Sequence, residues 1–89
     1  MSDTLDEILA ERKMQHGDFS DHARYTQSLK NYVRQNSKWS ELTFVQQEAI
    51  EMIIHKLGRI MAGDPNHRDH WDDIAGYARL VAERISPKC

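Results

Sequence analysis

The chain has 89 residues, a formal net charge of -2, 39% apolar and 29% charged residues. A chain of this length predicts one domain over 1–89, with a core small enough that self-association is a natural route to stability. The charge balance excludes a strongly basic nucleic-acid binder, so nucleic acid is not expected as the main partner. The one cysteine, Cys89, has no partner in the chain for a disulfide, which fits a reducing, cytoplasmic setting. No apolar run approaches a membrane span, and the first residues lack signal-peptide character.

The periodicity predicts an all-α fold of four helices, with no strand. Thr4-Leu-Asp-Glu7 has the spacing of a capping box, followed by an apolar stripe of Leu5, Ile8 and Leu9. His16-Gly17-Asp18 signals a turn that ends this helix near Gln15. Phe19 is expected to plug the core beside that turn. The second helix is expected from Ser20 as N-cap, with Ala23, Thr26, Leu29 and Val33 on one side. Residues 35–38 form a polar break, and Trp39 is expected to anchor it.

The third helix starts at Thr43, whose partner Gln46 completes a capping box. Ala49, Ile50, Ile53, Ile54, Leu57, Ile60 and Met61 cover a wide arc, so this is the helix expected to be most buried. Gly63 is a natural stop. The fourth helix is expected from about Asp69 to about Ile85, burying Trp71, Ile74, Ala75, Ala78, Val81, Ala82 and Ile85. The third helix is apolar over more of its circumference than one neighbour covers. That predicts a homo-oligomer, most simply a dimer.

Three polar constellations stand out. Glu48, Glu51, His55 and Arg59 fall opposite the apolar arc of the third helix. They read either as a solvated face or as two carboxylates for Mg²⁺ or Mn²⁺ beside Lys56 and Arg59 for phosphate. Asp69 and Asp73 are i,i+4 neighbours on the fourth helix, and their mutual repulsion invites a cation. An acidic first turn is also what the helix dipole favours. Tyr77 continues this row and is placed to hold a ligand carboxylate. His16 and Asp18 flank the turn between the first two helices, either as substrate contacts or as a cap. His67 and His70 have only a weak zinc-like spacing, with no cysteine nearby. There is no phosphate-binding glycine loop and no serine or cysteine nucleophile motif. Metal-assisted hydrolysis is therefore the reaction class these residues permit.

In order along the chain, Glu11-Arg12, His16-Gly17-Asp18-Phe19, Lys56-Leu57-Gly58-Arg59 and Asp69-His-Trp71-Asp-Asp73-Ile-Ala-Gly76-Tyr77 resemble a family of short proteins common in tailed phages and prophages. The resemblance runs from about Ile8 to about Ile85. That family looks distantly like the all-α MazG-type nucleotide pyrophosphohydrolases, which hold Mg²⁺ with Glu-x-x-Glu on one helix and Glu-x-x-Asp on the next. Glu48-x-x-Glu51 matches the first motif. Asp69-x-x-Asp72 carries Asp in place of Glu, and Asp69 to Asp73 is one residue longer. The resemblance implies a MazG-like, oligomeric four-helix bundle acting in a bacterial host cytoplasm. Its implied function is Mg²⁺-dependent (or Mn²⁺-dependent) hydrolysis of a nucleoside triphosphate. Glu48, Glu51, Asp69 and Asp73 would be the metal ligands, and Lys56, Arg59, His16 and Asp18 the substrate contacts. The competing expectations are a non-catalytic phage protein that binds a nucleotide or a host protein, and a purely structural helical oligomer.

Overall fold

The computed structural model describes residues 3–85. It is all-helical: α1 (Asp3–His16), α2 (Phe19–Arg34), a 3₁₀ turn (Ser37–Glu41), α3 (Phe44–Ala62) and α4 (Arg68–Ala82). No strand occurs among the described residues. The centre of the fold is α3, which packs against α2 on one side and α4 on the other. Ile54 and Gly58 lie on one flank of α3, with Ala49, Lys56 and Ile60 on the other, and all five are buried.

The ends of α3 follow from local chemistry. Thr43 caps it by a complete capping box: the Gln46 backbone N–H donates to Thr43 Oγ1, and the Thr43 N–H donates to Gln46 Oε1. Gly63 closes the helix with φ -120° and ψ -134°, not in the left-handed conformation that usually suits such a glycine. Its lack of a Cβ matters for another reason. A side chain there would meet the Gln15 carbonyl and the Gly17 backbone. Gly17 itself has φ 83°, and a Cβ on it would strike the Ala62 carbonyl. The α1–α2 corner and the end of α3 therefore touch backbone to backbone, with the Asp64 N–H donating to the Gln15 carbonyl at 3.2 Å.

Several local expectations are corrected. Asp3 is already helical, so Thr4 lies inside the first turn of α1 and not at its cap. Leu5, Ile8 and Leu9 are exposed, because only Gln15 and His16 at the far end of α1 are even half-buried. The N-cap of α2 is Asp18, whose carboxylate accepts from the Ser20 and Asp21 N–H groups, so Ser20 is already helical. Phe19 is 79% exposed and plugs nothing. The break after α2 holds the 3₁₀ turn, and Trp39 is half-buried there with its carbonyl accepting from Gln47 Nε2.

The largest correction concerns α4. Trp71 is 52% exposed and donates its indole N–H to the Pro65 carbonyl at 2.8 Å. The residue that is buried is its neighbour His70, only 1% exposed. Ile74, Tyr77 and Val81 continue the inward row, while Ala75, Ala78, Ala82 and Ile85 face outward. The inward face is thus rotated by roughly 70° from the expected stripe, which keeps Ile74 and Val81 inside and turns Trp71 and the alanines out.

Candidate functional site

All five histidines of the chain gather at the end of the fold where α1, α2, α3 and α4 approach each other. His16 closes α1, His22 lies in the first turns of α2, and His55 is on α3. His67 is the residue before α4, and His70 is in its first turn. The His16 ring lies 5.1 Å from that of His70 and 6.1 Å from that of His67, and His67 is 4.7 Å from His70. His70 Nε2 donates to the Gln15 carbonyl at 3.1 Å, which ties α4 to the end of α1 and fixes the tautomer of that ring.

His22 and His55 form a second pair, perpendicular at 4.6 Å, with His22 Nε2 and His55 Nδ1 at a hydrogen-bonding distance of 3.3 Å. Gly58 makes room for this pair. An ideal Cβ there would overlap Thr26 Cγ2 and come within 2.9 Å of His22 Nδ1. His16 Nδ1 and His22 Nδ1 are buried without a hydrogen-bond partner among the described residues.

His16, His22, His55 and Arg59 line a cleft of about 430 Å³. Leu9, Arg12, Lys13, Gly17, Asp18 and Phe19 complete the lining. Arg59 is half-buried, and no described carboxylate lies within ion-pair distance of it or of Arg12. Lys13 reaches Asp18 only at 4.0 Å. The uncompensated positive charge shapes the proton chemistry of the cleft. Burial, then the nearby Arg59 guanidinium, pushes His16 and His55 down from 6.5 to about 4. His22 is lowered by the same two causes in the same order, with the Gly58 backbone acting weakly the other way. These three imidazoles are therefore uncharged at neutral pH. Asp18 is held low by the backbone N–H groups of Ser20 and Asp21.

A larger depression of about 580 Å³ lies between the end of α2 and the 3₁₀ turn. Its only ionisable groups are Tyr32 and Lys38, so it lacks the convergent charge that marks a binding site.

The sequence candidates divide. Arg59, His16 and Asp18 come together in the cleft. Lys56 does not. It is 8% exposed, and its Nζ lies 2.9 Å from Asp73 Oδ2, which lowers the Asp73 carboxyl below the usual aspartate range. Glu51 faces α2, 2.7 Å from Arg34 and 3.8 Å from Lys30. Asp69 lies 3.8 Å from His67, and Glu48 is exposed with no ion pair among the described residues. Each of the other three acidic residues thus has its own cationic or histidine neighbour. Among the described residues no group of three or more His, Cys, Asp or Glu side chains is placed to hold a metal ion. Tyr77 is half-buried on the inward row of α4. The face of α3 carrying Glu51, His55 and Arg59 is half-buried beside α2, so it is not a simple solvated face.

Sequence reasoning missed His22, Arg12 and Lys13. One signal was present for His22: a glycine inside an otherwise well-formed helix, Gly58, marks close approach by another element. No helix is long and apolar enough to cross a membrane among the described residues. No curated protein and no solved structure matches this chain. Residues 1–85 match the domain of unknown function DUF6378, and the chain belongs to that family.

Proposed function

We propose that this chain binds a phosphorylated nucleotide, with its phosphates seated in the histidine-lined cleft against Arg59. The observation that carries the reading is the unpaired, half-buried Arg59 guanidinium among imidazoles that stay neutral. A buried charge without a partner is costly. A bound phosphate supplies the missing anion, and a guanidinium suits it by offering two parallel donors. Arg12 and Lys13 of α1, which line the same cleft, add charge along a phosphate chain. Phe19 at the rim offers an exposed ring for a base. The resemblance to the phage and prophage proteins, and their distant MazG-like character, favours a nucleotide over other anions. It also favours action in a bacterial host cytoplasm.

Isothermal titration at low salt with nucleoside mono-, di- and triphosphates tests this. Arg59→Gln is expected to weaken binding at least tenfold, corresponding to about 1.4 kcal/mol. No heat from any nucleotide, or equal affinity in the variant, would refute it.

Mg²⁺-dependent or Mn²⁺-dependent hydrolysis through Glu48, Glu51, Asp69 and Asp73 is a further step that rests on the resemblance. The side chains as placed do not fit a shared metal. Arg34 must first leave Glu51, and Lys56 must leave Asp73. Pyrophosphate release in the presence of Mg²⁺ separates an enzyme from a binding protein.

A further inference from the structure

We propose that a second copy of this chain covers the apolar face made by α3 and α4. The first observation is an excess of surface. The chain exposes 7000 Å², whereas a compact protein of 10.4 kDa exposes about 5,400 Å². Its radius of gyration is 15.8 Å, against about 12 Å for a compact domain of this length. Part of that excess lies on α1. The difference of about 1,600 Å² nevertheless exceeds the roughly 800 Å² that each partner contributes to an interface of ordinary size.

The second observation is where the apolar surface sits. Trp71, Ala75, Ala78 and Ala82 on α4, and Ile85 in the turn just after it, are all exposed and recur at alternating steps of four and three, with no charge among them. That spacing is the seam of a helix that packs on another helix. The seam borders a groove of about 320 Å³, where Ile50 and Ile53 of α3 meet Ala78 and Val81 of α4. Leu57 and Met61 extend the same side of α3 and are exposed. Among the described residues only three apolar ones, Ala49, Ile54 and Ile60, are buried, and Ile50, Ile53, Ile74 and Val81 are half-buried.

The occupant is specified by the shape of the seam. Its middle is three alanines, and its ends are the large side chains Trp71 and Ile85. These two lie equally far from Ala78 in the sequence, Trp71 in the first turn of α4 and Ile85 in the hydrogen-bonded turn that follows the helix. Two such helices laid antiparallel, with Ala78 at the two-fold axis, bring alanine against alanine and Trp71 over the partner's Ile85. Small residues at the centre permit close approach, and large ones close the ends. A surface that complements itself in this way forms an isologous dimer.

Sedimentation equilibrium of the full chain tests the proposal. The expected mass is twice 10.4 kDa at about 100 µM. Ala78→Glu is expected to halve that mass with helix content unchanged, because Ala78 is exposed in the single chain. Leu5→Glu, on the exposed α1, is expected to leave the dimer intact. A monomeric wild type, or an Ala78→Glu variant that stays dimeric, would overturn the proposal. Should Ala78→Glu fail to fold, hydrogen exchange of unmodified protein over a dilution series decides it. Protection across 71–85 must fall as the dimer dissociates, and protection independent of concentration would overturn the proposal.

Discussion

Gly58→Ala sets two effects of known sign against each other. Inside an exposed helix, replacing Gly by Ala stabilises by about 1 kcal/mol. At Gly58 the new methyl would overlap Thr26 Cγ2 and stand 2.9 Å from His22 Nδ1, both on α2. Overpacking of this kind costs about 1–3 kcal/mol. The net expectation is a loss of about 1 kcal/mol, which lowers the melting temperature of a domain this small by roughly 4–8 °C. Gly76→Ala is the control: nothing lies within 4 Å of the methyl it would add, so it should stabilise by up to about 1 kcal/mol. Thr26→Ser removes the methyl that α3 would strike. The double variant Thr26→Ser/Gly58→Ala should then recover about 1 kcal/mol relative to additivity. Urea unfolding of the wild type and the four variants reads all of this. A Gly58→Ala variant stabilised as much as Gly76→Ala would refute the α2–α3 packing, and with it the placement of His22 against His55.

Stability should fall as pH drops from about 6.5 to about 4, before most carboxylates titrate. His16 and His55 stay neutral in the folded chain down to about 4, while the unfolded chain takes up protons from 6.5, so protons favour unfolding across that window. Melting curves at several pH values check it; a flat profile above pH 5 counts against the neutral cleft. Gly17→Ala should cost at least about 2 kcal/mol, from a left-handed backbone that alanine resists and a collision with the Ala62 carbonyl. A fall below about 0.5 kcal/mol in urea unfolding would contradict that contact. Asp73→Asn should destabilise by about 1–3 kcal/mol, because buried Lys56 loses its anion. Adding Lys56→Met should restore most of the loss, and a double variant no better than the single one would show that the pair is not what holds α4 there.

The features legible in the sequence were the local ones. The Thr43–Gln46 capping box forms because both partners lie in one turn, and the Gly63 stop and the four-helix layout follow from similarly short-range signals. What failed needed knowledge of what lies across the fold. The most apolar stripe of α4 was legible, but sequence periodicity cannot say whether a stripe meets the chain's own core or something else. His70 goes inside because the Gln15 carbonyl is there to accept its N–H. Leu5, Ile8 and Leu9 read as a narrow apolar stripe and are exposed, because α1 touches its neighbours mainly at its end. Of the site, Arg59 and His16 were legible from the motifs that carry them. The His22–His55 pair was not, since residues 33 positions apart meet only through α2–α3 packing.

The backbone contact between Gly17 and Ala62–Gly63 has a mechanical consequence. It makes the root of α1 a fulcrum, with the rest of that helix a lever of nearly three turns whose side chains are almost all in water. Leu9, Arg12 and Lys13 ride on the lever, while His55 and Arg59 stand on the fixed frame of α3. A small rotation at the two glycines therefore moves one wall of the cleft by several times the displacement at the root. The width between Arg12 and Arg59 is consequently set at a joint of backbone contacts, pinned from α4 by the His70 N–H on the Gln15 carbonyl.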